Sequence, residues 1–370
     1  MKVVLIGGSA IYVYQLASSL AKLGLEVKML LEKEHYIEEF KEANFEIIKI
    51  FKKDDSYFKR VNKIFDWCKS FNPEIVHLQS TVSVRRDIFF LFKKEFLKYN
   101  LVYTAHNIIP HSWAFLENFA LKLVYRRLPF IIVHANKNKE FLIKKFNIDS
   151  KKIYVIPHGI FNFYYRFTEN ITKEAARKFL GLEPDKKIIL FFGNLRKNKG
   201  LIFLLHAHKK ILAKIPDVKL LIVGPPVDQR PSEIYRWIEK LKISSSVIFI
   251  PKFVPHSQVG FYFKASDLVA LPYLNISQSG VALTAIAYGL PLVVTGVGGL
   301  PEVVFDKKNG LIVKPKNIKD LSEAIIYILT NQKVYFDMQN YNLKIARDIF
   351  NWDDIAKKTI EVYEKATEQL

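Results

Sequence analysis

Short apolar runs rich in Val, Ile, Leu and Phe alternate along this chain with stretches whose apolar residues recur at helical spacing. Such runs mark strands buried on both faces, and their alternation with helices predicts parallel sheets joined by crossover helices. In the first half they fall at residues 3–6, 27–31, 47–50, 75–78, 101–104, 130–133 and 153–156. In the second half they fall at 188–192, 220–223, 247–250, 268–271, 292–294 and 311–313. Two doubly wound α/β domains are expected. Punctuation agrees: Gly24 closes one helical stretch, Pro231-Ser232 opens another, and Gly289 to Pro291 ends a third. The alternation lapses at 158–172 before a helix predicted at 173–180. The reading is a first domain over 1–165 and a second over 166–351. The aromatics Phe161, Phe163, Tyr164 and Tyr165 are read as a connection packed between them. A last helix at 352–370 has no strand after it and is read as packing back on the first domain.

Length supports two domains, since 370 residues, half of them apolar, suffice for two cores. Cys68 is the only cysteine, which excludes an intrachain disulfide and a zinc cluster of thiolates and fits a reducing compartment. Met1-Lys2 leads directly into an apolar strand without the zones of a secretory leader. No run reaches the about 18 apolar residues of a membrane helix. A soluble, cytoplasmic protein is expected. Charge adds a long-range field: 56 basic against 36 acidic residues give +20, which attracts nucleic acid, anionic lipid or phosphorylated substrates alike. Residues 80–152, with 14 Lys/Arg against 5 Asp/Glu, form the local basic face.

Three places carry the chemistry of anion binding. Gly7-Gly8-Ser9 follows the first strand and precedes a helix, so Gly8 lets the backbone approach a phosphate, or simply makes a tight turn; a third glycine is missing, and this is no dinucleotide fingerprint. The stretch 191–200 runs from a strand through Gly193 into a helix, where Arg196 and Lys199 are placed to neutralise a diphosphate; the plainer alternative is a solvated basic loop. In the third, Ser277, Gln278, Ser279, Gly280 and Val281 open a helix that includes Thr284. Free N–H groups at the positive end of the helix dipole, with hydroxyls beside them, suit phosphate or sugar.

Beyond this point the chain resembles a known family. Leu271-Pro272-Tyr273, Ser277 to Val281, Gly289 to Thr295 and Gly298 to Val304 look like the C-terminal signature of family-4 glycosyltransferases. Residues 189–200, 221–224 and 265–268, and in the first half 73–77, 103–107 and 155–159, resemble its other blocks in order. The resemblance implies a GT-B fold, two Rossmann-like doubly wound domains facing across a cleft, with donor bound chiefly to the second and acceptor to the first. It also implies that Arg196 and Lys199 hold the donor pyrophosphate and that His106 lies beside the donor sugar. Many members carry two glutamates around the third site. Ile276 and Thr284 stand there instead, as in a Ser-Gln-Ser-Gly subset that would bind through hydroxyls, the Gln278 amide and backbone N–H groups.

The function expected is transfer of a hexose-type sugar from a UDP- or GDP-sugar to a saccharide or lipid-linked acceptor in envelope polysaccharide, glycolipid or glycan synthesis. A GT-B epimerase or phosphorylase is the alternative, and a basic nucleic-acid-binding protein a more distant one. His106 is the catalytic histidine of choice, with His111 a companion. His77 and His134 end strands in structural roles, His158 is balanced between packing and function, and His35, His206, His208 and His256 read as surface or packing residues. With no Asp-x-Asp and no ligand pair at metal spacing, no metal or other cofactor is expected. Residues 85–98, five consecutive apolar positions bracketed by basic pairs, read either as a crossover helix or as a peripheral membrane contact; Lys122, Arg126, Arg127, Lys144 and Lys145 are read as extending the same basic face.

Overall fold

Each of those apolar runs becomes a strand. The computed structural model describes residues 1–33, 40, 43–52, 54–80, 96, 98–108 and 115–368. β1 (Lys2–Gly7), β2 (Glu26–Glu32), β3 (Glu46–Phe51), β4 (Ile75–Ser80), β5 (Asn100–Ala105), β6 (Phe130–Val133) and β7 (Ile153–Val155) form one sheet in the order β3-β2-β1-β4-β5-β6-β7. β8 (Lys187–Phe192), β9 (Val218–Val223), β10 (Val247–Ile250), β11 (Leu268–Leu271), β12 (Leu292–Thr295) and β13 (Gly310–Val313) form a second, β10-β9-β8-β11-β12-β13. Pairing is parallel throughout, as in β4 with β5, where Gln79 faces Thr104. Strand order reverses at β1/β4 and at β8/β11, and ligands of open α/β sheets bind outside the carboxyl ends of the strands at such points.

The helices follow from local chemistry. Tyr57–Phe71 starts where the Ser56 hydroxyl accepts the Lys59 N–H and stops at Asn72, whose left-handed backbone donates to the Cys68 carbonyl. Its buried residues Val61, Ile64, Phe65 and Cys68 recur at one-turn spacing and enter the core of the first sheet. We expect Ser56→Ala to cost about 1 kcal/mol, read as a shift in the denaturation midpoint. Pro231–Leu241 begins with proline at its first turn, where no N–H is needed, and buries Ile234, Ile238 and Leu241.

The chain divides into two compact units, Met1–Gly159 with Ile349–Leu370, and Ile160–Asp348. In the first, the terminal helix Trp352–Glu368 packs on the helix Ala10–Lys22 and on β5, and Ser19 Oγ donates to Asp353 at 2.9 Å. In the second, the aromatic stretch after the division packs on that unit's own residues: Phe163 is buried, and the Phe161 ring sits where a Cβ on Gly280 would be. Asp267 joins three pieces of this unit. It accepts from Arg177 Nη2 at 2.8 Å, from the Lys173 ammonium, and from the Ile188 N–H at 2.6 Å. Both Arg177 and Asp267 are buried. Asp267→Ala leaves a buried guanidinium without its counter-charge, and a loss of about 3–5 kcal/mol is expected in urea denaturation; a loss below about 1 would show that water reaches Arg177.

Candidate active site

At the carboxyl end of β8 the chain turns at Gly193 (φ +100°), whose N–H donates to the Val223 carbonyl at 2.9 Å. Only glycine fits opposite: a Cβ on Gly224 would lie 2.1 Å from the Gly193 oxygen. The loop continues through a single 3-10 turn, Lys197–Lys199, anchored by Asp228 accepting the Lys197 N–H at 2.7 Å. This turn brings the Lys199 ammonium back to 3.0 Å from the position a Gly193 Cβ would take, and to 5.2 Å from the Tyr273 ring centroid. Arg196 and Lys199 are half-buried, and neither has an ion-pair partner among the described residues.

A second loop, after β11, reaches the same place. Ser279 caps the helix Gly280–Ala287, its hydroxyl accepting the Ala282 N–H at 3.3 Å. Val281 contacts the space above Gly193. Thr284 is buried one turn on, and its hydroxyl donates to the Gly280 carbonyl at 2.8 Å, so it offers only acceptor capacity. Ser277 faces the loop after β12, where its carbonyl accepts the Gly299 N–H at 3.1 Å. Both amide atoms of Gln278 are buried without a hydrogen-bond partner, as are Asn198 Oδ1 and Tyr273 Oη. Buried polar atoms left unpaired are costly and rare. Four of them, with two cations lacking ion-pair partners and the N–H groups of a helix start, are chemically suited to an anionic ligand with many hydroxyls. Asn198 lies in the stretch 191–200 and Tyr273 in the Leu271-Pro272-Tyr273 signature, but the sequence assigns neither a role in the site.

In the first unit a histidine cluster gathers His77, which lies within β4 and does not end it, with His106, His134 and His158 from just beyond the carboxyl ends of β5, β6 and β7. His77 on β4 lies with Nδ1 2.6 Å from Tyr363 Oη and Nε2 2.7 Å from Thr104 Oγ1. The Gln79 carboxamide bridges the two rings, placed with Nε2 3.0 Å from His77 Nε2 and Oε1 2.8 Å from His106 Nε2. His106 Nδ1 lies 3.2 Å from His134 Nε2, and His134 Nδ1 lies 3.0 Å from the Ile156 carbonyl oxygen. His158 joins by ring contact, and Tyr12 stands edge-on to His106 at 4.5 Å between centroids. Burial away from water, reinforced by the neighbouring imidazoles, pushes His77 and His158 down to about 3. Burial alone pulls His134 down to about 4, and His106 is driven well below its ordinary value. Both ring nitrogens of His106 are occupied by protein groups. Gly8 (φ +78°) belongs to this cluster, because a Cβ there would lie 2.7 Å from Gln79 Cβ and 3.0 Å from Val13. Close packing therefore accounts for this glycine. The sequence pointed to His106 but not to Gln79, Tyr12 or Tyr363, which meet it only through the fold.

His35, His111 and nearly all of the basic aromatic stretch 85–98 lie outside the described residues. Lys122, Arg126 and Arg127 lie on the helix Phe115–Arg127 together with exposed Phe119 and Leu123; Lys144 and Lys145 lie on Asn136–Phe146. No helix among the described residues is long and apolar enough to cross a membrane.

Residues 6–161 match the family model described as Glycosyltransferase Family 4, and residues 172–345 match Glycosyl transferases group 1. An uncharacterized glycosyltransferase of Methanocaldococcus jannaschii is 31% identical over 247 residues, 65% of this chain and 61% of that protein. A D-inositol 3-phosphate glycosyltransferase of Corynebacterium urealyticum is 34% identical over 201 residues, 53% of this chain and 47% of that protein. The chain thus spans between about half and three fifths of the length of these relatives. The structure of Anabaena HepE in complex with UDP-glucose is similar over 99% of this chain and 100% of that one, with a TM-score of 0.79 at 16% identity. The architecture is therefore GT-B, built of two Rossmann-like domains.

Proposed function

Starting from the chain's place among the family-4 glycosyltransferases, to which the two matched models assign it, we propose that it transfers a hexose-type sugar from a UDP- or GDP-sugar to a saccharide or lipid-linked acceptor. One observation carries the reading: two unpaired cations, Arg196 and Lys199, stand beside orphaned polar atoms of Asn198, Tyr273 and Gln278 at the switch point of the second sheet. The UDP-glucose held by Anabaena HepE supports a nucleotide-sugar donor.

In this proposal the bond from the sugar anomeric carbon to the diphosphate oxygen breaks, and a bond to the acceptor oxygen forms. Arg196, Lys199 and the first-turn N–H groups of Gly280 and Val281 meet the charge that grows on the departing diphosphate. Ser277, Ser279 and Gln278 bind neutral hydroxyls in place of the family's glutamates. The acceptor proton passes to the departing phosphate, since His106 has both nitrogens engaged. His106 is held as a buried, uncharged ring.

Arg196→Ala and Lys199→Ala are each expected to weaken donor binding by tenfold to hundredfold, one charge-assisted contact of about 1.5–3 kcal/mol. Calorimetric titration with UDP, GDP and their sugars checks this; unchanged affinity in both variants removes the site from the proposal. Because cations stand where a metal-dependent enzyme would need acidic ligands, turnover should survive EDTA. Loss of activity that magnesium or manganese restores and sodium does not would end the metal-free reading.

The acceptor side is proposed to face anionic lipid peripherally at the cytoplasmic leaflet, through exposed Phe119 and Leu123 flanked by Lys122, Arg126 and Arg127. Each basic residue near such a surface contributes about 1 kcal/mol. Sedimentation with anionic vesicles at low salt, and not with neutral ones, is the expected result; equal, negligible binding to both favours a soluble acceptor.

A further inference from the structure

We propose that Gln79 is a positioning residue for His106: its carboxamide turns the NH2 group to His106 Nε2 and locks the ring as the neutral tautomer protonated on Nδ1. The argument is a proton count along one chain of contacts. His134 Nδ1 faces the Ile156 carbonyl, which only accepts, so that nitrogen carries a hydrogen. In a neutral His134 the other nitrogen is then an acceptor, and His106 Nδ1 must donate to it across 3.2 Å. A neutral His106 is left with an unprotonated Nε2, 2.8 Å from the Gln79 carboxamide. Only the NH2 end of that group completes the contact, so the amide is turned by half from the placement with Oε1 toward His106 and Nε2 toward His77.

The rest of the network closes in the same direction. With its oxygen on the other side, Gln79 accepts from His77 Nε2–H, which Thr104 Oγ1 shares, and Tyr363 donates its hydroxyl proton to His77 Nδ1 at 2.6 Å. Every ring nitrogen of His77, His106 and His134 then has a matched partner and no charge is needed. The opposite amide orientation places acceptors at both ends of the His106–His134 pair. Three hydrogen bonds would then need three protons where two neutral rings carry two, so that arrangement exists only as an imidazolium.

Burial decides between them. The groups facing His106 are His134 after β6, His158 after β7, Tyr12 from the first helix, and His77 and Gln79 from β4. No carboxylate is hydrogen-bonded to His77, His106 or His134 among the described residues. A cation enclosed without a counter-charge costs several kcal/mol, whereas a half-turn of an amide exchanges two groups of nearly the same shape. The missing side chain at Gly8 gives Gln79 the room to hold this position.

The consequence for transfer rests on the activity proposed above: a His106 held neutral with both nitrogens engaged does not take the acceptor proton. Selective 15N labelling of histidine in the full-length protein reads the tautomer directly. The wild-type chain should show His106 with a pyridine-like Nε2 and a pyrrole-like Nδ1. Gln79→Glu offers only acceptors, so it should invert that pattern and draw a proton into the pair. It should also give kcat a new ionisation between about pH 6 and 8, activity rising as the proton leaves, with donor KM unchanged. A wild-type His106 protonated on Nε2, or a Gln79→Glu protein with unchanged tautomer and pH profile, overturns the proposal. Should Gln79→Glu fail to fold, Gln79→Met removes the donor at similar volume while the Ile156–His134 contacts keep His106 protonated on Nδ1, so the His106 Nε2 resonance should move to that of a pyridine-like nitrogen without a hydrogen bond; an unmoved Nε2 resonance is again the refuting result. The spectra need no turnover, so failure of the transferase reading leaves this outcome legible.

Discussion

Acidification from pH 6.5 to pH 4 should strip the protein of several kcal/mol of stability, most of it above pH 5, before its carboxylates protonate. His77 and His158 titrate at about 3 in the folded chain and His134 at about 4, because burial resists the cation; unfolded, each returns to about 6.5. Below that value the unfolded chain binds protons that the folded chain refuses. Stability contributed by the neutral rings is therefore complete above pH 6.5 and declines until the folded values are reached. Each refused proton steepens the decline by about 1.4 kcal/mol per pH unit, so three give roughly 4 kcal/mol per unit, and His106 acts in the same direction. A typical domain holds only about 5–15 kcal/mol. Thermal unfolding followed by circular dichroism between pH 7.5 and 4 checks this. A melting temperature flat to pH 4.5 would mean that the cluster is hydrated or charged in solution.

The same cluster shows where reading a sequence stops. Strands were legible because parallel strands covered on both faces have no polar side: residues 130–133, 247–250 and 268–271 are continuous apolar runs and are strands with those bounds. The caps at Pro231 and the terminal helix from Trp352 follow from equally local chemistry. Arg196, Lys199 and the Ser277 to Val281 loop were legible because glycine turns and helix starts after apolar runs mark the carboxyl edge of a sheet. Gln79, His106 and His134 are separated by 27 and 28 residues in sequence and meet only because β4, β5 and β6 are sheet neighbours. No local pattern encodes that pairing. Tyr363 reaches His77 from 286 residues away, on a helix whose packing partner the periodicity cannot name. Asn198 and Tyr273 lie in stretches the sequence marks, but an orphaned polar atom is a property of the folded environment and not of residue type.

Gly298→Ala should abolish most donor turnover while leaving the fold in place. Gly298 has φ +55°, and a Cβ there would lie 1.6 Å from the Ile276 carbonyl oxygen, a separation that no rotamer change relieves because both groups are backbone. The next residue is pressed as closely: a Cβ on Gly299 would meet the Ser277 oxygen at 2.7 Å and Gln278 Oε1 at 2.8 Å. The loop after β12 is thus the floor on which residues 276–278 rest. A methyl group at 298 must lift that segment by more than an ångström, carrying the unpartnered Gln278 amide and the Ser277 hydroxyl away from the donor. Misplacement of about 1 Å at a positioned group costs on the order of 100-fold in rate, and kcat/KM for the donor should fall by at least that. Backbone strain alone does not do this. Gly181 has a similar φ of +66° with nothing within 4 Å of its added Cβ, so Gly181→Ala should lose only about 1–2 kcal/mol of stability and keep its kcat/KM. Steady-state kinetics of the two variants beside their melting curves separates the cases. A Gly298→Ala enzyme that turns over its donor like the wild type would mean that the Ser277 loop is not a wall of the donor site.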